Sequence, residues 1–171
     1  MRTYRRVYEK GGTYFFTVVT AGRWPCFDEV DHVRMLGDAL RRTRLVHRFD
    51  SIAMVVLPDH LHCIWRLPEG DDDFSLRWEL VKKRFTSAIR NGPSIVRKKI
   101  WQPRFWEHRI RDEADFVRHL DYVHYNPVKH GHAVSPGAWP HSTFARCVKG
   151  GMYPPDWGAT VPRTIEDMEP E

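Results

Sequence analysis

The feature that most constrains the fold is a short hairpin near the middle of the sequence. Residues 52–57 form a continuous apolar run, Pro58-Asp59 makes a tight turn, and residues 60–67 return as a second extended segment. Two short strands around a two-residue turn pair in an antiparallel sheet. Because an isolated hairpin is only marginally stable in water, other segments must extend and cover this one.

Residue patterns on both sides of the hairpin supply those segments. The predicted strands cover residues 13–20, 52–57, 60–67 and 105–110, and the predicted helices cover residues 28–48, 75–91 and 112–126. Ser75 and Asp112 are suited to cap the second and third helices, and Asn126-Pro127 should end the third. The order β-α-β-β-α-β, followed by one more helix, predicts an α+β fold of the ferredoxin-like, split-βαβ type with an antiparallel sheet.

The length of 171 residues fits one domain. We expect residues 1–131 to form that domain and residues 132–171 to be an irregular, proline-containing extension packed on it, with a flexible acidic tail. No apolar run approaches the length of a membrane span. The three cysteines are widely spaced and odd in number, which argues against a disulfide framework. These features predict a cytoplasmic protein without a membrane partner.

Positive charge is concentrated in residues 82–111, which contain ten basic residues and only one acidic residue, Glu107. Four aromatic residues are interleaved with them: Phe85, Trp101, Phe105 and Trp106. Basic side chains bind phosphates and aromatic rings stack on unpaired bases, so the mixture favours a single-stranded nucleic-acid partner. The alternative is a solvated helix face with core aromatics. The candidate DNA-binding residues are Arg5, Arg6, Lys82, Lys83, Arg84, Arg104 and Arg111.

His60-Leu61-His62 is the first candidate for chemistry. Side chains alternate across a strand, so both imidazoles should point to one face and form half of a metal site. A His-x-His pattern alone is weak, and a second one, His130-Gly131-His132, lies in a glycine loop that fixes no geometry.

The third helix carries the second candidate. Helical spacing places His119, Tyr122 and Asn126 together on one flank of its apolar stripe, while Tyr125 should face solvent. A tyrosine can act as a covalent nucleophile on phosphorus if an electropositive site favours the phenolate. The alternative is an ordinary interfacial tyrosine.

These two motifs resemble those of a known family. The HLH sequence at residues 60–62 resembles the His-hydrophobic-His motif of the HUH endonucleases, and YVHYNPVK at residues 122–129 is similar to the motif of single-tyrosine transposases. The segments at residues 54–73, 100–111 and 150–157 are similar to REP-associated tyrosine transposases. The resemblance covers nearly the whole chain.

The resemblance implies a role for each matching residue. Tyr122 would attack a phosphodiester of single-stranded DNA and form a 5′-phosphotyrosine link. His60, His62 and Asn126 would bind a divalent metal, for which Mn²⁺ suits the nitrogen ligands and Mg²⁺ is abundant. The substrate would be a REP element, a palindromic hairpin preceded by a tetranucleotide. Two further carboxylates, Asp59 and Asp121, could contribute, although Asp59 fits a turn-forming role better.

Three functions remain open on the sequence. The leading one is a metal-dependent enzyme that cuts and joins REP hairpin DNA at the nucleoid. The second is a hairpin-binding module with little or no catalysis. The third is a metal phosphoesterase that uses His60 and His62 to activate water and does not need Tyr122. A monomer is favoured over a homodimer.

Overall fold

Four strands form one antiparallel sheet. The computed structural model describes residues 6–92 and 99–168. The strands are β1 (Thr13–Val19), β2 (Asp50–Val56), β3 (His60–Arg66) and β4 (Trp106–Arg109). They lie in the spatial order β2-β3-β1-β4, and every neighbouring pair is antiparallel. This arrangement confirms the predicted fold class.

The helices cover both faces of the sheet. They are α1 (Val30–Val46), α2 (Phe74–Arg90), α3 (Glu113–Lys129) and the short α4 (Phe144–Lys149). Helices α1 and α2 pack against each other, whereas α3 packs across β2 and β3. The two hydrophobic clusters contain different strand residues, so α3 lies on the sheet face opposite α1 and α2.

Alternation along β1 and β3 divides the side chains between the two cores. Phe16 and Trp65 belong to the core under α1 and α2, where Trp65 stacks on Trp78 with ring centroids 4.3 Å apart. Phe15 and Ile64 belong to the core under α3. Because side chains two residues apart share a face, His60 and His62 point to the α3 side together with Ile64.

Two predicted helix ends were wrong. Helix α2 begins at Phe74, where Asp73 rather than Ser75 caps it by accepting a hydrogen bond from the Leu76 backbone N–H. Helix α3 continues through Pro127 to Lys129. A proline removes only one backbone donor, and the next turn closes through a hydrogen bond from the His130 N–H to the Asn126 carbonyl, 3.0 Å.

The C-terminal segment packs on α3 through buried polar bonds. Tyr153 and Thr164 donate hydrogen bonds to the two oxygens of Asp121 at 2.8 and 2.6 Å. Tyr125 is only 8% exposed and contacts Trp157, so the prediction that Tyr125 faces solvent was wrong. These bonds also give Asp121 a structural role: its carboxylate binds the C-terminal segment and does not join the histidine pair. The domain boundary at residue 131 stays a prediction.

Two findings bear on membranes and disulfides. Within residues 6–92 and 99–168, none of the helices is both long and apolar enough to cross a bilayer. Cys26, Cys63 and Cys147 are buried free thiols.

Removal of the Tyr153 hydroxyl should destabilise the protein. In Tyr153→Phe, the buried Asp121 carboxylate loses a hydrogen bond, and the free energy of unfolding should fall by about 1.5–3 kcal/mol. Urea denaturation followed by circular dichroism measures this loss. The matched control is Tyr8→Phe, because the Tyr8 hydroxyl contacts Ser75 at the surface. An equal effect of both substitutions would contradict the anchoring role of Tyr153.

Candidate active site

The two histidines of β3 lie side by side on the α3 face of the sheet. The ring centroids of His60 and His62 are 4.9 Å apart and their planes are nearly perpendicular, at 82°. Both residues are buried, with exposed fractions of 5% and 1%. Two imidazoles held this close on a strand can supply two ligands to one metal ion.

Each imidazole is oriented by a hydrogen bond through Nδ1. His60 Nδ1 donates to Asp59 Oδ1 at 2.5 Å, and His62 Nδ1 lies 2.9 Å from Thr17 Oγ1 on β1. Arg23 donates to the other Asp59 oxygen at 3.2 Å. An imidazole that donates through Nδ1 carries its lone pair on Nε2, and carboxylate or hydroxyl partners of this kind typically orient metal-binding histidines.

Burial keeps the histidine pair neutral. Desolvation lowers the pKa of His60 despite the hydrogen bond to Asp59, and it lowers the pKa of fully buried His62 well below the ordinary value. Burial alone would raise the pKa of Asp59, but bonds from His60 and Arg23 outweigh it and lower that pKa. Near neutral pH, Asp59 is therefore ionised and the imidazoles are neutral, which is the form that binds metal.

Tyr122 and Asn126 approach this pair from α3. The Tyr122 ring centroid is 5.2 Å from that of His62, and the Lys129 ammonium lies 4.6 Å from the Tyr122 centroid. Asn126 is fully buried, and neither its amide oxygen nor its nitrogen has a hydrogen-bond partner among the described residues. A buried, unsatisfied amide is costly and calls for a ligand. Asn126 therefore fits a metal-ligand role together with the histidines.

His130 and His132, the two histidines of the glycine loop, lie next to the site, although the sequence did not predict a defined position for them. The ring centroids of His130 and His60 are 5.4 Å apart, and those of His130 and His132 are 6.1 Å apart. Both loop histidines are exposed. They therefore border the site at its open side, although nothing fixes them as ligands.

A second cluster lies beyond Phe15, between β4 and α3. His108, Asp115 and His119 place one potential ligand atom each within 4.8 Å of one another, so they form a possible metal-binding triad. The two imidazoles, however, stack with centroids 4.4 Å apart and planes 14° from parallel. One ion cannot lie in two parallel ring planes, so metal binding would require one imidazole to rotate.

Hydrogen bonds hold this cluster together as it stands. His108 Nε2 donates to Asp115 at 2.8 Å, and the Arg111 backbone N–H donates to the same carboxylate at 3.0 Å. Burial would raise the pKa of Asp115, but these bonds lower it to about 2. His119 Nδ1 donates to the Asp115 carbonyl at 2.8 Å.

The candidate DNA-binding residues are distributed around the molecule. Arg104 lies exposed beside His60, and Arg111 is exposed just before α3, where it pairs with Asp115. Two others pack over Phe105, where Arg6 Cζ and Lys82 Nζ are 4.2 and 5.5 Å from the ring centroid.

The remaining candidates lie on α2 or outside the described residues. Lys83 is exposed, and Arg84 donates to Thr43 Oγ1 on α1 at 3.2 Å. Arg5 lies outside the described residues. DNA contact by all seven residues stays a prediction.

Most of the interleaved aromatics proved to be core residues. Phe85 is fully buried and Trp101 is 9% exposed, and both belong to the core under α1 and α2. Trp106 is 41% exposed on the α3 side. Phe85 and Trp101 therefore follow the alternative of core aromatics, whereas Trp106 presents its ring at the surface.

The chain is similar in sequence to two known proteins. The chain is 49% identical over 161 residues to a REP-associated tyrosine transposase of Escherichia coli K12, covering 94% of this chain and 93% of the relative. It is 41% identical over 166 residues to a putative REP-associated tyrosine transposase of Haemophilus influenzae, covering 92% and 94%. No family model matches the sequence.

A solved structure shares the fold. It is described as a REP-associated tyrosine transposase bound to a REP hairpin, and it matches with a TM-score of 0.85 and 49% identity over 95% of this chain and 94% of that one. The two relatives and the solved structure are all transposases, a class of DNA-processing proteins. The chain belongs to the REP-associated tyrosine transposase family.

Several site residues were missed from the sequence. Thr17 reaches His62 only through the antiparallel register of β1 and β3, which pairs these two residues directly. Lys129 was expected beyond the helix end, and its contact with Tyr122 depends on the continued helix. The second cluster had a signal, because Asp115 and His119 are one helical turn apart and His108 comes from the strand just before.

The hydrogen bonds to Asp115 should make part of the free energy of unfolding depend on pH. Because its folded pKa of about 2 lies below the ordinary value of 3.8, this contribution is complete above about pH 4 and is lost as the pH falls towards 2. Asp115→Asn should lower the free energy of unfolding by about 1.5–3 kcal/mol at pH 7, and the deficit should shrink at pH 2.5. Urea denaturation at both pH values tests this.

The matched control for that experiment is Asp31→Asn. Asp31 forms an exposed ion pair with Arg34 on α1, so its loss should cost less than about 1 kcal/mol. A deficit of Asp115→Asn that stays constant from pH 7 to pH 2.5 would contradict the role of the Asp115 carboxylate.

Proposed function

We propose that this protein is a metal-dependent single-stranded DNA endonuclease and strand transferase that acts on REP hairpin DNA through a 5′-phosphotyrosine intermediate. The observation that carries the proposal is the contact between Tyr122 of α3 and His62 of β3, with ring centroids 5.2 Å apart. This contact brings a nucleophile next to a pair of metal-binding side chains. Membership of the transposase family supports the same reading.

The proposed step is a transesterification. Tyr122 Oη attacks the scissile phosphorus, a bond from Oη to phosphorus forms, and the bond from phosphorus to the 3′-oxygen breaks. The phosphate stays on the 5′ side as phosphotyrosine, the 3′-oxygen leaves as a hydroxyl after gaining a proton, and the tyrosine proton passes to solvent. Attack by a 3′-hydroxyl reverses the step, so the strand is rejoined without a separate energy source.

Lys129 supports the nucleophile. Its ammonium lies 4.6 Å from the centre of the Tyr122 ring, where a positive charge favours the phenolate over the phenol. The ring is also held by Phe15 and His62, with centroids 5.9 and 5.2 Å away. The tyrosine is therefore oriented before DNA binds, which removes part of the entropic cost of the reaction.

His60, His62 and Asn126 would hold the divalent metal. The fit rests on the nearly perpendicular imidazoles, their Nδ1 bonds to Asp59 and Thr17, and the Asn126 amide, which has no hydrogen-bond partner within residues 6–92 and 99–168. A divalent ion supplies Lewis-acid polarisation of the scissile phosphate. Two imidazoles with one amide oxygen favour Mn²⁺ over Mg²⁺ at equal concentration.

The substrate proposal follows from the relative that was solved with a REP hairpin. We infer that this chain binds the same class of DNA and acts where that DNA is found, at the bacterial nucleoid. Action as a monomer is part of the same proposal, since one chain carries the tyrosine, the histidines and the amide.

Tyr122→Phe should abolish cleavage and leave hairpin binding nearly unchanged, because it removes one oxygen and keeps the ring packing. The measurement uses labelled single-stranded REP hairpin DNA with Mn²⁺, run on a denaturing gel. We expect a metal-dependent cut and a protein–DNA adduct with the unaltered protein and neither product with the variant. The matched control is Tyr125→Phe, which changes a tyrosine three residues along α3 and should keep both products.

Two other results would identify the alternatives. Cleavage that survives Tyr122→Phe, with no adduct, would indicate a phosphoesterase that activates water. Tight hairpin binding without cleavage by either protein would indicate a binding module.

Loss of a histidine ligand or of the asparagine ligand should weaken metal binding. His62→Ala should abolish detectable Mn²⁺ binding in isothermal titration calorimetry, and Asn126→Ala should weaken it about tenfold or more. His47→Ala, at the end of α1, is the control and should bind like the unaltered protein. Loss of Mn²⁺ binding in His119→Ala but not in His62→Ala would move the metal to the second cluster and contradict the proposed ligand set.

A further inference from the structure

We propose that His130 is a further metal ligand of the candidate active site, and that its imidazole shifts the preference of the site towards Co²⁺ and Zn²⁺. The inference rests on the proposed function and deepens it, because it adds a third imidazole to the ligand set of His60, His62 and Asn126. His130 belongs to the His-x-His pattern of the glycine loop, to which the proposed reaction gives no role.

Helical spacing brings His130 to the site. Tyr122, Asn126 and His130 follow one another at intervals of four residues, so they lie along one face of the helix and its last turn. The Tyr122 ring lies 5.2 Å from the His62 ring, and the His130 ring lies 5.4 Å from the His60 ring, both between centroids. Each histidine of β3 therefore has a ring from this face as its partner.

The end of α3 holds the backbone of His130 in a defined position. The His130 N–H donates to the Asn126 carbonyl at 3.0 Å, so His130 continues the last helical turn. Gly131 then ends the turn with a φ of 73°, a conformation that favours glycine, and its N–H donates to the Val128 carbonyl at 3.0 Å. The imidazole of His130 is thus presented from a fixed backbone at the open side of the site, where it is exposed.

The ring geometry suits a shared ion. An ion about 2.1 Å from a ring nitrogen lies about 3.2 Å from the ring centre, so two neighbouring imidazole ligands have centroids roughly 4.5–5.2 Å apart. The centroid of His60 is 4.9 Å from that of His62 and 5.4 Å from that of His130, so the exposed His130 ring needs only a slight shift. The planes of His60 and His130 cross at 74°. One ion can therefore lie in both ring planes, unlike in the stacked pair of His108 and His119.

His132 has a different environment from His130. Its ring packs on Trp139 of the segment that leads to α4, with centroids 5.7 Å apart. The centroids of His132 and His130 are 6.1 Å apart, above the range for two neighbouring ligands of one ion. Because it is an imidazole of the same loop, His132 provides a matched control.

A third imidazole changes which ions the site prefers. Imidazole nitrogen binds Co²⁺ and Zn²⁺ more tightly than Mn²⁺, whereas oxygen ligands suit Mn²⁺. Removal of the His130 ring should therefore cost more affinity for Co²⁺ than for Mn²⁺. His130 determines the metal specificity of the site and takes no part in the attack on DNA.

The test measures metal binding without DNA, so cleavage plays no part. Isothermal titration calorimetry gives the Kd of Co²⁺ and of Mn²⁺ for the unaltered protein, for His130→Ala and for the control His132→Ala. His130→Ala should raise the Kd of Co²⁺ about tenfold or more, since loss of even the hydrogen-bond partner of a ligand has an effect of this size. The Kd of Mn²⁺ should rise by a smaller factor. His132→Ala should stay within about twofold of the unaltered protein for both ions.

Pulsed electron paramagnetic resonance of the Mn²⁺-loaded proteins adds a readout that a purely structural effect would not move. The nitrogen couplings of the ion should indicate three imidazoles in the unaltered protein and in His132→Ala, and two in His130→Ala. Both histidines are exposed, so circular dichroism should show the same fold for all three proteins.

Three results overturn the inference. One is a Kd of Co²⁺ for His130→Ala within about twofold of the unaltered protein. Another is an equal rise in that Kd for His132→Ala. The third is a count of two imidazoles in the unaltered protein. Each of these results leaves the ligand set of His60, His62 and Asn126 in place. Failure of the unaltered protein to bind either ion overturns the inference together with the metal dependence of the proposed function.

Discussion

The candidate site depends on the packing of Phe15, which lies fully buried at the centre of the sheet face under α3. Its ring centroid is 5.5 Å from that of His62, 5.9 Å from Tyr122 and 4.9 Å from His119. One apolar side chain on β1 thus sets the distance between the histidine strand and the tyrosine helix. Because protein interiors are close-packed and resist compression, this ring fixes the geometry more firmly than the polar groups could.

The polar groups of the site carry a cost that the rest of the fold offsets. His62 is fully buried and neutral, and the Asn126 amide is buried without a hydrogen-bond partner among the described residues. An unsatisfied buried amide costs about 1–3 kcal/mol. Two separate hydrophobic cores, one on each sheet face, supply the stability that tolerates this. Perturbed, poorly satisfied groups gathered in one place are typical of functional sites.

The sequence predicted those parts of the site that follow from local periodicity. The strand alternation of His60 and His62 and the helical spacing of Tyr122 and Asn126 needed only the periods of 2.0 and 3.6 residues. Thr17 could not be predicted, since its contact with His62 depends on the register of two strands far apart in sequence. The burial of Tyr125 depends on Trp157, and no local pattern predicts which face of α3 the C-terminal segment will cover.

The density of basic residues along the sequence did not show which of them would lie at the surface of the fold. Lys82 lies within the basic stretch, yet it donates to the Gln102 carbonyl at 3.1 Å and burial lowers its pKa to about 8. That bond joins α2 to the segment that leads through Arg104 into β4. The half-buried lysine therefore helps to hold this segment against α2, while the Arg104 side chain is exposed to solvent. A basic stretch in a sequence thus divides into structural and surface cations, and only tertiary packing separates them.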